Sequence, residues 1–470
     1  MFSCILMCQT LFGQNKPFPQ NSDYPYGFKT SVIPEADITN AYNRWKDLFL
    51  LPAGDGMYRV CGDDTSITIS EGMGYGMLLT AYHGEKDLFD GLYAFYNKNR
   101  TTEAYDLMGW RVTRDAIIDP GSATDGDIDV AFSLIVAYCQ WGGDYLDEAI
   151  DILYIFEEYY YEECEGVWTM KPGGRFGGCG LTDLSYYCPG YYNIFEEVVD
   201  DGFWEEVAED AYDLLDNGAN PETGLVPDWM SASGVPGGEP SSGRTDYYRY
   251  DASRTPWRWS MDYLWTGNVD SKDWCVTVTN FANDIGPNGI VDGYDLDGTP
   301  RGQYNNSAFV GGFAVGSMCN TQEMVDRFSQ RLLALERSRS DNNYFNLCLR
   351  NIYMLILTGN FWIPDVEETG IIKKPIQPDQ LNLNQNYPNP FNPETTISYQ
   401  LKEAGSVQLS IYDESGRRVK TLVNARQSSG FQQVQWDGTN AANQPVASGL
   451  YWVQLCVNDV SSEKKMVLIR

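Results

Sequence analysis

Histidine is almost missing: the 470 residues contain one, His83. A Ser-His-Asp relay or a multi-histidine metal site would need that single ring. His83 lies in the helical stretch Tyr82-His83-Gly84-Glu85 and reads as an ordinary surface or packing residue. Basic charge is scarce as well, with 33 Lys and Arg against 65 Asp and Glu for a formal net charge of -32. That balance argues against nucleic acid, an anionic membrane surface or a polyanionic substrate, and favours a neutral ligand. No C-x-x-C pair occurs among the eleven cysteines. Apolar runs long enough to cross a membrane are also lacking. Met1 to Phe12 is apolar and uncharged but short. It resembles the hydrophobic part of a secretory signal peptide whose charged start is absent, and residues 1–14 are expected to be such a signal, truncated.

What is present supports a folded chain with room for one large and one smaller domain. Hydrophobic residues make up 43%, and 13 Trp, 32 Tyr and 20 Phe supply core volume and rings able to stack on sugar faces. With imidazole scarce, acid–base chemistry falls mainly to carboxylates, with Tyr, Lys or Cys as alternatives. Without Cys4 and Cys8 nine cysteines remain, so at least one thiol has no intrachain bridge. Cys164, Cys179 and Cys188, in a glycine-rich region, are the candidates for a local bridge. Cys139, Cys275, Cys319 and Cys348 sit in apolar helical patterns and read as buried free thiols.

From about Tyr26 to Pro364, apolar segments of helical period alternate with turn-rich connectors. Helices are predicted to begin near Glu35, Glu71, Lys86, Asp125, Tyr145, Gly190, Phe203, Pro256, Lys272, Asn305, Thr321 and Asp341. Asn320 with Glu323 resembles a capping box for one of them. Twelve helices in series without regular strand pairs fit a closed ring of helical hairpins, over residues 25–365, better than a parallel sheet. Residues 366–380 read as a linker. Over 381–470, short alternating runs at Thr395–Leu401, Val407–Tyr412, Gln432–Trp436 and Tyr451–Val457 predict a small all-β, immunoglobulin-like sandwich. From Gln380 onward 8 basic residues face 7 acidic ones, so the acidity belongs to the helical part.

Three acids stand at three predicted helix entrances: Glu71 in Ser70-Glu71-Gly72-Met73-Gly74-Tyr75-Gly76, Asp125 in Ala123-Thr124-Asp125-Gly126-Asp127, and Asp251 just ahead of Pro256. Ser70 and Thr124 are the expected caps, and each acid could do no more than favour its helix dipole. If the ring closes with these entrances at one end, the carboxylates converge on a cleft. Paired carboxylic groups are what glycoside hydrolysis requires. Tyr75 and Tyr250, beside two of the acids, are candidates for the cleft or for the core. Asp292-Gly293-Tyr294-Asp295-Leu296-Asp297-Gly298 has the look of a calcium loop, but its register leaves Tyr304 where a bidentate glutamate belongs, so no metal is expected.

These motifs, with Tyr250-Asp251-Ala252-Ser253-Arg254-Thr255-Pro256-Trp257-Arg258 and Thr358-Gly359-Asn360-Phe361, resemble in order those of glycoside hydrolase family 8 over about Pro25 to Pro364. The resemblance implies an (α/α)6 barrel and an inverting endo-hydrolase of β-1,4-linked glycans without a cofactor. It makes Glu71 the general acid, Asp251 the general base, Asp125 the acid that holds a distorted sugar, and Arg254 the residue positioning base and substrate. It suggests aromatic sugar platforms near Trp110 and Tyr344. Cellulose or a related glucan is the expected substrate, with xylan, mixed-linkage glucan, chitosan or glycan binding without catalysis as alternatives. Neutralising Asp125 is expected to lower activity and move the acidic limb of the pH profile downward. The final segment, with Asn386-Tyr387-Pro388-Asn389-Pro390-Phe391-Asn392-Pro393, Trp436-Asp437-Gly438 and Ala447-Ser448-Gly449-Leu450-Tyr451, resembles the sorting domain of the type IX secretion pathway. It implies the type IX machinery as a partner and export to the surface or medium of a Gram-negative bacterium. A monomer is expected.

Overall fold

Helices form wherever the apolar period predicts them, and among the described residues there are twelve. They are α1 (Glu35–Phe49), α2 (Ser70–His83), α3 (Lys86–Lys98), α4 (Thr124–Trp141), α5 (Tyr145–Tyr159), α6 (Pro189–Val199), α7 (Phe203–Gly218), α8 (Thr255–Thr266), α9 (Val269–Ile285), α10 (Ser307–Gly316), α11 (Gln322–Glu336) and α12 (Tyr344–Leu357). The structure, a computed structural model, describes residues 15–238, 243–336, 341–366, 382–383, 386, 389–401, 405–413, 416–427, 430–442, 444–457 and 460–469. The expected signal peptide and residues 367–380 of the expected linker lie outside these. The chain divides into two compact units, Met1–Gly370 and Ile371–Arg470.

Two kinds of helix alternate in the first unit, and composition explains which goes where. Even-numbered helices are apolar nearly all round: every residue of α10 is buried, and every residue of α4 except Trp141. Odd-numbered helices are amphipathic. α7 buries Trp204, Val207, Ala211, Leu214 and Leu215 and exposes Glu205, Asp213 and Asp216. Accordingly α2 packs on α4, α6 on α8, α8 on α10, α10 on α12, and α12 returns to α2. Phe132 of α4 closes the cycle by stacking on Tyr191 of α6, with ring centres 3.7 Å apart. Each odd-numbered helix lies against an even-numbered one, from α1 on α12 to α11 on α10. No helix among the described residues is long and apolar enough to cross a membrane.

Several local expectations need correction. Ser70 and Thr124 do not cap: each is already the first helical residue, after Ile69 and Ala123. The Ser70 hydroxyl is buried without a partner among the described residues, and that of Thr124 donates to the Lys171 carbonyl (2.6 Å). At α11 Thr321, not Asn320, takes the capping bond, from the Met324 amide (3.3 Å); the Asn320 amide instead reaches Thr279 and Asn280 on α9. Strand pairs do occur. Leu50–Gly54 pairs with Met57–Val60, and Tyr161–Cys164 with Val167–Met170. Their turns are Asp55-Gly56 and Glu165-Gly166, all four residues at positive φ, the signature of a tight hairpin. The second hairpin carries the one disulfide among the described residues, Cys164–Cys179; Cys188 stays free and buried. His83 stacks on Tyr42 at 3.6 Å, and burial pulls its pKa down to about 3, so it serves packing.

In the second unit two antiparallel sheets share one apolar core that includes Ile397, Tyr399, Leu409, Ile411, Trp436, Val453 and Leu455. One orders strands 382–383, 395–401 and 430–436; the other orders 418–427, 405–413, 449–457 and 460–468. Strands Arg418–Gln427 and Val460–Leu468 were not expected, because both edge the sheet and carry charged residues among few apolar ones.

Candidate active site

The three acids meet because two helices approach without side chains between them. A Cβ on Gly126 would lie 2.4 Å from the Ser70 carbonyl carbon, and one on Gly74 would lie 2.6 Å from the Gly126 oxygen. The first turns of α2 and α4 therefore touch through backbone, and Glu71 and Asp125 come together. Asp251 precedes a 3-10 turn, Ala252–Arg254, that runs into α8, with Pro256 in the first turn where its missing N–H costs nothing.

Arg254 joins all three. Its Nη1 donates to Glu71 Oε2 (2.9 Å), to Asp125 Oδ2 (2.7 Å) and to the Tyr75 hydroxyl (3.2 Å). Its Nη2 donates to Asp251 Oδ1 (3.2 Å) and to the Ser185 hydroxyl (3.0 Å). Glu71 and Asp251 thus sit on different amino groups of one guanidinium, separated by its width and two hydrogen bonds. The Arg254 side chain is fully buried, whereas those of Glu71 and Asp251 remain 12% and 34% exposed, so both carboxylates can be reached from solvent.

Electrostatics differ between them. Burial pushes the Glu71 pKa up to about 7, with Arg254 opposing and the negative charge of Asp125 adding to the rise. Glu71 is then half-protonated near neutrality despite its place at a helix start. Asp251 is also raised by burial, while Arg254 and a hydrogen bond from Trp229 hold it back.

Of the other expected residues, Tyr344 donates its hydroxyl to Glu71 Oε1 (2.9 Å), and Tyr75 is wholly buried beneath Arg254. Trp110 reaches the site through its carbonyl, which accepts the Ser70 amide (2.9 Å); its side chain is half-buried. Tyr250 is half-buried, its hydroxyl donating to Asp292 Oδ2 (3.0 Å) and accepting from Asn306 Nδ2 (3.3 Å).

The structure adds residues that sequence reasoning missed. Trp229 Nε1 donates to Asp251 Oδ2 (3.1 Å), and Asp228 Oδ1 accepts the amides of Arg249 and Ala252 on either side of Asp251. Asp183 Oδ1 accepts the Ser185 amide (2.8 Å), and its Oδ2 is buried with no partner among the described residues. Burial, then the charge of Asp251, lift both Asp183 and Asp228 far above the usual carboxylate range. An acid beside a tryptophan in a stretch without helical or strand period was the available signal. Among the described residues the only group spaced to hold a metal is Glu162, Cys164 and Cys179, and the disulfide consumes both sulfurs.

The family model described as glycosyl hydrolases family 8 matches residues 16–359, and that of the FlgD Ig-like domain matches residues 388–459. Endoglucanase 2 of Ruminiclostridium josui is 34% identical, with 73% of this chain and 77% of that protein covered. Endoglucanase A of Acetivibrio thermocellus is 32% identical over 77% of this chain and 78% of its own. The apo structure of a β-1,3-1,4-glucanase from Paenibacillus sp. X4 superposes with a TM-score of 0.68 at 27% identity, covering 74% of this chain and 99% of that one. A reducing-end xylose-releasing exo-oligoxylanase of Paenibacillus barcinonensis is 28% identical over 67% of this chain and 90% of its own.

Proposed function

Since this chain belongs to glycosyl hydrolases family 8, we propose that it cleaves β-1,4-linked glucan internally and with inversion, on an (α/α)6 barrel formed by α1 to α12. Glu71 protonates the leaving oxygen, Asp251 removes a proton from the attacking water, and Asp125 with Arg254 holds the distorted sugar and the base. The observation that carries this reading is the single guanidinium of Arg254 bonded to Glu71, Asp125 and Asp251. It sets the proposed acid and base on separate amino groups of one side chain, and inversion requires room for a water between them. A carboxyl pKa of about 7 at Glu71 suits a proton donor, while the cationic and indole donors on Asp251 favour the charged form a base needs.

Release of reducing ends from carboxymethylcellulose, xylan, lichenan and chitosan, by wild type and Glu71→Gln, tests the reading. Activity greatest on a β-1,4-glucan and lost in Glu71→Gln is expected. Proton NMR of the first products should show the α-anomer. Absence of activity on all four would sink the enzyme reading in favour of glycan binding alone. For the second unit the proposal is type IX export to the cell surface or medium, supported by the motifs around Asn386 and Trp436. Deleting residues 381–470 should retain the enzyme inside a type IX-competent host, and unchanged export would refute the assignment.

A further inference from the structure

The loop that resembled a calcium site is closed by its first acid instead. Asp292 Oδ1 accepts the backbone amides of Gln303 (2.8 Å) and Tyr304 (2.9 Å), and its Oδ2 accepts the Tyr250 hydroxyl. Gly302 permits this closure, since a Cβ there would lie 2.4 Å from Asp292 Oδ1. Beside it is a cavity of about 170 Å³ lined by Tyr247, Arg249, Asp292, Arg301, Gln303 and Tyr304, together with Gly302. Tyr304 is 69% exposed, and the Arg301 guanidinium sits 4.6 Å from the centre of the Tyr247 ring while pairing with Asp295 (2.6 Å). The Arg249 guanidinium has no hydrogen bond or ion pair among the described residues, and it lies 5.9 Å from the centre of the Tyr250 ring.

The lining chemistry narrows the ligand. Asp292 already accepts three hydrogen bonds and two arginines stand nearby, which is unsuited to a metal ion. Flat tyrosine faces beside a planar fork of N–H donors and an amide fit a ring that is apolar on its faces and hydroxylated at its edge. Tyr250 connects this cavity to Asp251, its neighbour in the chain. We propose that the cavity is an outer sugar subsite that takes a neutral pyranose of the same glycan, away from the bond being cleaved, with Tyr304 as platform and Arg249 as donor to ring hydroxyls. The inference rests on the glycoside hydrolase reading above.

Its test compares the full-length wild type with Tyr304→Ala and, separately, Arg249→Ala, on the hexasaccharide and trisaccharide of the backbone that wild type cleaves, cellulosic or xylan. The ratio of kcat/KM for the longer over the shorter substrate should fall about tenfold in Tyr304→Ala and in the same direction in Arg249→Ala. Calorimetric binding of the hexasaccharide in a Glu71→Gln background should weaken in parallel. Ratios equal to wild type in both variants would overturn the subsite while leaving the hydrolase reading intact. A wild type inactive on every glycan would remove both.

Discussion

Tyr344 reaches Glu71 across α2 by donating its hydroxyl to Oε1 over 2.9 Å, through space that only a glycine at position 72 leaves open. A Cβ on Gly72 would lie 2.7 Å from that hydroxyl. The bond favours the charged carboxylate and so lowers a pKa that burial otherwise raises. In Tyr344→Phe the Glu71 pKa should rise above about 7. A proton donor keeps its proton until the pH passes its pKa, so the alkaline limb of kcat/KM against pH should move upward. Gly72→Ala should move it the same way by displacing the ring. An alkaline limb that stays put in both variants would show that the bond does not tune Glu71.

Asp125→Asn should move the profile in the opposite sense. The charge of Asp125 raises both Glu71 and Asp251, so its removal lowers both pKa values. The acidic limb, set by deprotonation of the base, and the alkaline limb, set by the acid, are both expected to fall. The sequence alone suggested only the acidic limb; the shared Arg254 adds the other. Activity at the optimum should drop about ten- to a hundredfold as a charged hydrogen bond of 2.7 Å is lost. pH profiles of kcat/KM separate this coupling from a simple loss of sugar contacts, which would lower the profile without displacing it.

How much of this site could be read from residues alone depended on whether the signal was local. Helix starts were legible within a few residues because apolar spacing is a property of each segment, and Glu71, Asp125, Asp251 and Arg254 lay in recognisable motifs. Trp229 and Asp183 were not legible, because the bond from Trp229 to Asp251 and that from Arg254 to Ser185, which Asp183 holds, arise only when distant segments meet, Thr182 pairing with Met230. Ser70 misled for the opposite reason. Its sequence neighbours suit a cap, but the Trp110 carbonyl takes its amide and the helix begins one residue early.

Trp229 carries a prediction of its own. Its indole N–H favours the charged form of Asp251, and the Arg244 guanidinium, 4.9 Å from the centre of the indole ring, also favours it. Trp229→Phe keeps much of the ring and removes the donor, so the Asp251 pKa should rise and the acidic limb of the profile should move upward. Loss of one hydrogen bond to a charged group is worth about tenfold in kcat/KM. Thermal unfolding of the variant, read alongside, should change little, since the ring's packing survives.

Below the contact between α2 and α4 lies an ion pair with no access to water. Arg258 donates from Nη1 and Nη2 to the two oxygens of Asp129 at 2.5 and 2.8 Å, both residues fully buried. A Cβ on Gly74 would lie 2.8 Å from that of Asp129, so the pair underlies the glycine contact that brings Glu71 to Asp125. Removing one partner strands the other charge in an apolar interior, and Asp129→Ala should cost about 3–5 kcal/mol. Replacing both with apolar residues of similar volume, Asp129→Leu with Arg258→Met, should restore most of that loss, because the desolvation of two charges offsets much of their attraction. Urea unfolding of the single and double variants measures both terms. A double variant as unstable as Asp129→Ala would mean that the pair is needed for the geometry of the ring rather than for neutralising its own charges.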